Sequence, residues 1–310
     1  MTPPPPLPLV SVVIPCYAQA HFLRDAIDSV FGQTYRAFEL IVVNDGSPDT
    51  PVLEAVLAAY REQVTYVVQA NMGLSGARNA GLARARGEFV TFLDADDRLL
   101  PDALQAGVDT FAVHPASGLV WGLNRLIDAQ GELLDSGERK FITEGGYPEL
   151  LEKNFVGPPL GVMFRRTTVM AAGGFSPLLR FAEDYGLYLC LARQLEVHCH
   201  GQLVGEYRIH GANMSHNHQG MLAGVLQALE MQEEWLGDDP VLRRALRKGR
   251  RTVRLFQDGE PRVARLAEHV HAGHWLRAIG SASVLLLKYP ELLLRVVTGR
   301  IRRGLRVVGR

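Results

Sequence analysis

Apolar and polar positions alternate with two periods along the first 115 residues. Four short runs rich in Val, Ile and Leu are typical of buried strands: LVSVVIP at 9–15, FELIVVND at 38–45, VTYVVQ at 64–69 and EFVTFLD at 88–94. After the first run, Leu23, Ala26, Ile27 and Val30 recur at helical spacing, and similar patterns follow the other runs. Strand and helix repeated four times predict parallel strands joined by crossover helices.

A polar cluster follows each of these predicted strands. The clusters read PCY at 15–17, NDGS at 44–47, NMG at 71–73 and DADD at 94–97. In an open parallel sheet, ligands bind beyond the carboxyl ends of the strands. We therefore expect the four clusters to converge on one rim of the sheet.

The pattern changes after residue 115. Two strands joined at AQG are predicted by LVWGLNRLIDAQGELL at 119–134. A short strand is predicted by LGVMF at 160–164, and further sheet by EVHCHGQLVGEYRIH at 196–210. GGFSPLLRFAEDYGLYLCLARQ at 173–194 predicts a loop that leads into a helix, and 225–310 a mainly helical region.

Three carboxylates, Asp94, Asp96 and Asp97, end the fourth predicted strand. A buried charge without a partner is costly, so these side chains must be solvated, paired or bound to a cation. Mg²⁺ and Mn²⁺ take oxygen ligands and often share phosphate oxygens, so an Asp-x-Asp can hold a metal that bridges a diphosphate. The alternative is that Asp97 caps and starts the following segment while the other two are solvated.

Three segments together resemble glycosyltransferase family 2. They are VSVVIPCYAQAHFLRDAIDSVFGQTYRAFELIVVNDGSPD at 10–49, NMGLSGARNAGLARARGEFVTFLDADD at 71–97 and FAEDYGLYLCLARQ at 181–194, within a resemblance that covers 8–215. The resemblance implies an α/β fold of the GT-A type: a Rossmann-like, mostly parallel sheet with flanking helices, here with a helical C-terminal extension. It also implies an inverting hexosyltransferase that uses a nucleotide-diphosphate sugar, of UDP or dTDP type, with Mg²⁺ or Mn²⁺.

The resemblance also divides the chain. We expect a flexible lead at 1–8 and a glycosyltransferase domain at 9–222, followed by a basic helical region at 223–310. Within the domain, 9–115 is expected to bind the nucleotide and 116–222 the acceptor.

The family's motifs assign roles to individual positions. The residues assigned to nucleotide-sugar binding are Pro15, Cys16, Tyr17, Asp45, Asn71, Arg78 and Asp94. Tyr17 is suited to stacking on the nucleobase, and Asp45 to hydrogen-bonding the base edge. As alternatives, Asp45 orders the loop after its strand as an Asx-turn, and Arg78 forms a structural ion pair with a rim carboxylate.

Metal binding is assigned to Asp96, Asp94 and His210, and the catalytic base to Asp184 with Glu183 as its neighbour. His210 lies in the late segment YRIHGANMSHN, where a hydrogen-bonded loop histidine is the alternative. For Asp184, the alternative is a favourable negative charge at a helix N-terminus. Ala18 and Gly186 depart from the family's usual residues, which affects one loop hydrogen bond and the sugar or acceptor contacts.

Charge is divided unevenly along a chain with zero net charge. Residues 241–310 hold 17 Lys and Arg against 4 Asp and Glu, and the first 240 hold 16 against 29. The apolar stripe and arginines at 284–310 favour peripheral contact with anionic lipid, and the alternative is packing on the catalytic domain or on a second subunit. Nucleic acid is not expected as a partner, because no aromatic residues are interleaved with the arginines.

The expected function is transfer of a sugar to a glycan or lipid-linked acceptor, in the synthesis of bacterial cell-surface polysaccharide or glycolipid. The expected location is the cytoplasm, with the inner face of the membrane as a further option, because there is no signal peptide and no run of 18 apolar residues. One alternative is a sugar-phosphate nucleotidyltransferase, although a glycine-rich loop with Arg or Lys does not follow the first strand. The other is a nucleotide-sugar-binding protein without activity.

Overall fold

The computed structural model describes residues 6–135 and 144–297. The chain forms two compact units, one from the residues up to Leu150 with Asn154–Asn213, and one from Leu151–Lys153 with the chain from Met214 onward. The predicted lead at 1–8 is therefore described only from residue 6, and the predicted lipid contact at 284–310 only up to residue 297. The remaining positions of both predictions lie outside the described residues.

The first unit contains one eight-stranded sheet. Its strands are β1 (Val10–Cys16), β2 (Phe38–Asp45), β3 (Val64–Gln69), β4 (Phe89–Phe92), β5 (Arg98–Leu99), β6 (Ser117–Ile127), β7 (Val162–Arg165) and β8 (Glu196–Arg208), in the spatial order β3-β2-β1-β4-β7-β6-β8-β5. The helices before Met214 are α1 (Ala20–Phe31), α2 (Thr50–Leu57), α3 (Gly73–Arg84), α4 (Ala103–Val113), α5 (Tyr147–Glu152), α6 (Arg166–Ala171) and α7 (Glu183–Ala192). Short 3₁₀ turns occur at Ala58–Tyr60 and Pro159–Gly161.

The four predicted strands form the parallel half of the sheet, as expected. β1 pairs in parallel with β2 on one side and with β4 on the other, and β2 pairs in parallel with β3. Cys16 lies beside Asn44 and Asp45 beside Gln69, so the strands end at one rim. The mixed α/β fold with a mostly parallel first half is confirmed.

The second half of the sheet differs from the prediction at one point. The sequence predicts a second strand after AQG, but the described part of this segment forms an isolated antiparallel bridge between Ile127 and Leu133 and not a strand. β6 instead pairs in parallel with β8 and antiparallel with β7. Asp128 explains the tight turn, because its Oδ1 accepts hydrogen bonds from the backbone N–H groups of Gln130 and Glu132, both at 2.9 Å.

Helix α1 shows why the first crossover packs on the sheet. Leu23, Ala26, Ile27 and Val30 form its buried face, the face that the helical spacing predicts. At its start, the Ala20 N–H donates a hydrogen bond of 2.9 Å to the Asp49 carboxylate, which satisfies one of the free donors of the first turn.

The second unit is helical, as predicted for the described residues from 225 onward. Its helices are α8 (His218–Glu230), α9 (Pro240–Arg254), α10 (Glu260–His271), α11 (Trp275–Lys288) and α12 (Pro290–Val297), with 3₁₀ turns at Met214–His216 and Glu233–Trp235 and a π-helical turn at Leu255–Gly259. Asp239 caps α9 by accepting hydrogen bonds from the Val241 and Leu242 N–H groups. Among the described residues, no helix has the length and apolar character that crossing a bilayer requires.

The contact between α3 and β1 generates a prediction about packing. A Cβ added at Gly81 would lie 2.2 Å from Cγ1 of the buried Val13, so Gly81→Ala should lower the free energy of unfolding by about 1–3 kcal/mol. Val13→Ala removes the obstructing methyl groups. Urea denaturation should therefore show that the double variant is less destabilised than the sum of the two single variants; strictly additive losses would contradict this contact.

Candidate active site

The candidate site lies at the rim where β1, β2 and β4 end. Pro15 and Cys16 complete β1 and are buried, whereas Tyr17 directly after them keeps 49% of its surface exposed. Burial and the nearby charge of Asp49 raise the pKa of the Cys16 thiol to about 12, so this thiol stays protonated at neutral pH. Tyr17 is therefore the side chain of this motif that a ligand can reach.

The loop after Tyr17 is held through its backbone. Ala18 has a positive φ of 55°, a conformation that costs an alanine energy and that asparagine tolerates better. Its N–H donates a hydrogen bond of 2.7 Å to Ser47 Oγ. The alanine thus keeps a loop hydrogen bond even without the side-chain amide that is usual in the family.

Asp45 fixes the end of β2 to the segment before α3. Its Oδ1 accepts a hydrogen bond of 2.7 Å from the Gln69 amide and one of 2.8 Å from the Met72 N–H. The turn after β2 is ordered by a different residue, since Asn44 Oδ1 accepts from the Ser47 N–H at 2.9 Å. Asn71 is exposed on the same loop, and its Oδ1 accepts a hydrogen bond of 3.0 Å from the N–H of Gly73, the first residue of α3.

Arg78 connects the end of β4 to the start of α7. One terminal nitrogen forms an ion pair with Asp94 and the other with Glu183, both at 2.6 Å, and only 1% of the side chain is exposed. Burial alone would lower the pKa of Arg78, but the charges of Asp94, Glu183 and Asp184 raise it above its ordinary value. The structural ion pair that the sequence left open as an alternative is thus present.

Helix α3 also holds the loop that precedes α7, and sequence reasoning missed these contacts. Asn79 makes two hydrogen bonds of 2.8 Å with the backbone of Phe175, one as donor and one as acceptor. Ser75 Oγ donates to the Leu179 carbonyl at 3.3 Å. The motif SGARN contained the signal, since its polar side chains recur on a helix whose other face packs on β1 and β2.

The three carboxylates after β4 have different surroundings. Asp96 Oδ2 accepts a hydrogen bond from the Gln19 amide at 2.8 Å and also contacts His210 Nε2 at 2.8 Å. Burial and the charge of Asp94 raise the pKa of Asp96, while the hydrogen bond with His210 lowers it. Asp94 is the more exposed of the two, with 24% of its side chain accessible.

Asp97 does not start the following segment, which corrects the sequence interpretation. It is fully buried, and its Oδ1 accepts a hydrogen bond of 2.8 Å from the Arg208 N–H at the end of β8. The residues after it form β5 rather than a helix. Burial and the charges of Asp96 and Asp94 raise the pKa of Asp97 well above its usual range.

Arg208 is a second structural residue of the site that sequence reasoning missed. Its guanidinium donates to the Asp96 carbonyl at 2.6 Å and to the Asp25 carboxylate at 2.9 Å, and lies 4.7 Å from the centre of the Phe22 ring. Because His210 follows two residues later, Arg208 sets the position of His210 beside Asp96. The Tyr-Arg pair before this histidine in the sequence was the available signal.

Asp184 lies in the first turn of α7, next to Glu183. Ala182, just before the helix, has a positive φ of 57°, a strained conformation at the entry to this turn. Burial and the charge of Glu183 raise the pKa of Asp184 to about 7, although Arg78 opposes them. Asp184 as a residue is intermediate in burial, whereas Glu183 is buried.

A divalent cation at this rim would need oxygen ligands from a phosphate in addition to those of the protein. Across 6–135 and 144–297, no group of three or more His, Cys, Asp or Glu side chains is arranged to hold a metal ion. Mg²⁺ is usually held by one or two carboxylates together with substrate phosphates, and carboxylates also suit Mn²⁺. Asp94 and Asp96 are carboxylates of the type that such a cation uses, and the assignment of Asp96, Asp94 and His210 as metal ligands stays a prediction.

Comparison with known sequences identifies relatives over most of the chain. The model of the family "Glycosyl transferase family 2" matches residues 11–170. An uncharacterized glycosyltransferase of Nostoc sp. is 30% identical over 74% of this chain and 74% of its own length. One from Rickettsia felis is 29% identical over 68% of this chain, and chondroitin synthase of Pasteurella multocida is 29% identical over 67%. The matches span only 36% and 21% of those two proteins.

Solved structures with similar folds are glycosyltransferases of the GT-A type. The mannosyltransferase PcManGT from Pyrobaculum calidifontis, in complex with GDP-Man and Mn²⁺, superposes with a TM-score of 0.64 at 18% identity, over 96% of this chain and 88% of that one. S. aureus TarS in complex with UDP-GlcNAc gives a TM-score of 0.62 at 17% identity, over 92% and 82%. The expected GT-A fold is thereby confirmed.

The bridge formed by Arg78 can be tested by stability. Arg78→Met leaves Asp94 and Glu183 as close like charges, so the free energy of unfolding should fall by about 3–5 kcal/mol. Arg86→Met is the matched control, because Arg86 pairs with Glu39 while 77% of its side chain is exposed, and it should cost less than about 1 kcal/mol. If the two variants lost equal free energies of unfolding in urea denaturation, the buried Arg78 bridge would stabilise the fold no more than the exposed ion pair of Arg86.

Proposed function

The chain belongs to glycosyl transferase family 2, and from this premise we propose that it transfers a sugar from a nucleotide-diphosphate sugar to an acceptor hydroxyl, with inversion at the anomeric carbon. The observation that carries this proposal is the Arg78 bridge. It joins Asp94, in the acidic segment suited to the donor, to Glu183, the neighbour of the proposed base Asp184. Donor and acceptor groups thus belong to one connected site.

The donor nucleotide is assigned to the rim of β1 and β2. Tyr17 is exposed enough to stack on a nucleobase, and Asp45 is held in a fixed orientation by Gln69 and Met72, so it can read the base edge. Pro15 and Cys16 shape the floor below the base, and Asn71 lies on the neighbouring loop. We propose a UDP- or dTDP-linked donor, which the similarity to the UDP-GlcNAc-binding TarS supports.

The metal role is assigned to Asp96, with Asp94 and His210 beside it. A bound Mg²⁺ or Mn²⁺ would supply positive charge to the departing diphosphate, and the Mn²⁺ present in the similar PcManGT supports this assignment. Arg208 keeps the main chain of Asp96 in place. Arg78 holds the side chain of Asp94, so Asp94 and Asp96 have different hydrogen-bond partners.

Asp184 is assigned as the base. Its carboxylate would take the proton from the acceptor hydroxyl, and the resulting oxygen nucleophile would bond to the anomeric carbon while the bond from that carbon to the diphosphate oxygen breaks. A pKa of about 7 suits this task, because the carboxylate is then basic enough to accept a proton and still largely ionised at slightly alkaline pH. Glu183, paired with Arg78, orients the helix start rather than the acceptor.

The acceptor is proposed to be a growing glycan or a lipid-linked glycan of the bacterial cell surface. The similarity to a chondroitin synthase supports a polysaccharide, although the chain matches only 21% of that protein. A cytoplasmic location, contact of 284–310 with the inner face of the membrane, and a homo-oligomer stay predictions.

Two other results would favour the alternative functions. Formation of a sugar nucleotide from a nucleoside triphosphate would favour a nucleotidyltransferase. Binding of the nucleotide sugar without turnover would favour a non-catalytic protein.

The assignment of Asp184 predicts a specific pH dependence. Transfer or hydrolysis assayed over a panel of nucleotide sugars should lose about 10²–10⁴-fold in kcat with Asp184→Asn, because the amide cannot accept the proton. A base with a raised pKa works when it is ionised, so wild-type kcat/KM should be constant above a pH of about 7 and fall about tenfold per pH unit below it.

Asp102→Asn is the matched control. Asp102 accepts a hydrogen bond from the exposed Thr34, away from this rim, so this variant should leave kcat unchanged. Donor binding should survive Asp184→Asn, which separates loss of the base from loss of the fold. A variant with near wild-type kcat, or a flat wild-type profile from roughly pH 5.5 to 8, would refute Asp184 as the base.

The metal assignment predicts a change in nucleotide affinity that does not depend on turnover. In calorimetric titration, UDP should bind more tightly with Mn²⁺ or Mg²⁺ than with EDTA, because the cation joins the diphosphate to the protein. Asp96→Asn should lower the ratio of the UDP affinity with metal to that with EDTA by about tenfold or more. The affinity in EDTA should stay unchanged. An undiminished metal effect in Asp96→Asn would refute the assignment, and Asp102→Asn, as the control, should keep the full effect.

A further inference from the structure

Helix α11 presents a bare apolar face. Trp275, Leu276, Ile279, Leu286 and Leu287 are all exposed, with 88% of Leu276 and 84% of Leu287 accessible. At 100° per residue, the five side chains fall within an arc of about 120° around the helix axis. They therefore lie on one side of the helix, together with the exposed Ser283, and we call this side the α11 apolar face.

The orientation of this face is fixed by packing on the other side of the helix. Ala278 and Leu285 are buried in a cluster with Val263, Leu266 and Leu292 of the neighbouring helices. The helix thus already has a core-facing stripe, and the α11 apolar face is additional to it. An exposed surface of this kind in a folded unit commonly marks a contact with another surface.

The composition of α11 is that of an interfacial helix. The sequence WLRAIGSASVLLLK has a tryptophan at its start, Arg277 and Lys288 as its charged residues, and neither Asp nor Glu. Tryptophan is favoured at the level of lipid headgroups, and basic residues near an apolar face are drawn to anionic lipid. Fourteen residues span only about 21 Å, less than the roughly 30 Å of a hydrocarbon core, so the helix suits lying in the interface.

Helix α9 in the same unit adds a basic stripe. Its exposed members are Arg243, Arg244, Arg247, Lys248, Arg251 and Arg254, which lie within an arc of about 140°. Arg243, Lys248 and Arg251 have acidic partners, whereas in the described part of the chain no salt bridge forms to Arg244, Arg247 or Arg254. Basic residues near a surface strengthen binding to anionic lipid.

Charge decides between a bilayer and a second copy of the chain. The helical unit, residues 151–153 and 214–310, holds eighteen Lys and Arg against ten Asp and Glu, a balance of +8. A dimer through the α11 apolar face would bring two such units together and make their charges repel each other. An anionic bilayer attracts the same charge, so it suits both the apolar face and the basic stripe.

We propose that the helical unit binds the surface of an anionic phospholipid bilayer, with the α11 apolar face inserted at the headgroup level and the α9 stripe contributing electrostatic attraction. This extends the lipid contact predicted at 284–310 to residues that precede it. The inference rests on the helical unit alone. It deepens the proposed function by placing the enzyme where a lipid-linked acceptor resides, but it does not require that function to be correct.

The test is flotation of the purified full-length chain with vesicles of phosphatidylcholine alone or with about 30% phosphatidylglycerol. The chain should float with the anionic vesicles, and added NaCl should weaken this binding. L276Q/L287Q should lower the partition coefficient about tenfold or more, because two leucines leave the lipid. R244Q/R247Q should lower it about fivefold for each arginine.

L178Q is the matched control, because Leu178 is an equally apolar, exposed residue of the sheet-containing unit, and it should float like the wild type. All variants should keep the wild-type melting temperature and donor hydrolysis, so a failure in flotation is distinct from a failure of catalysis. Absence of wild-type flotation, or unchanged flotation of L276Q/L287Q, would overturn the proposal. So would sedimentation velocity showing an oligomer that L276Q/L287Q converts to monomer without any vesicle binding, since a second copy would then cover the face.

Discussion

The two ion pairs of Arg78 are the interaction on which the arrangement of the site depends. Asp94 follows β4 and Glu183 begins α7, two segments almost ninety residues apart in the chain, and one guanidinium holds both at 2.6 Å. The planar guanidinium can serve two carboxylates at once, which a lysine ammonium does with less geometric control. Because the bridge is buried, water screens it little, and the two segments remain coupled.

Arg208 performs the corresponding task on the other side of the acidic segment. It connects β8 to the main chain of Asp96 and, through its own N–H, to the side chain of Asp97. The acidic segment is thus held from two directions by arginines on different elements. Concentrating three carboxylates at one strand end would be unfavourable by itself, and these partners make it tolerable.

The sequence was sufficient for the parallel half of the fold, because each strand there is a continuous apolar run followed by a helical pattern. It was insufficient where a contact is decided by distant segments. Ile127 pairs with Arg208 at the end of a long ladder with β8, whereas the segment after AQG adds an isolated bridge from Leu133. Strand β5 has only two residues, too few for a periodic signal. The candidate positions could be named from motifs, but the pairing of Arg78 with Glu183 and of Asp97 with Arg208 required the three-dimensional structure.

The same arginine also shapes the chemistry available to Asp184. Burial raises the pKa of this carboxyl, the charge of Glu183 raises it further, and Arg78 opposes both. Since Arg78 is in direct contact with Glu183 and not with Asp184, it neutralises the neighbour more than the proposed base. Two adjacent carboxyls thereby differ: Glu183 is bound to Arg78, and Asp184, with a pKa of about 7, can exchange a proton near neutral pH. The difference depends on the contact between the Arg78 guanidinium and Glu183. The same net charge without this contact would not produce it.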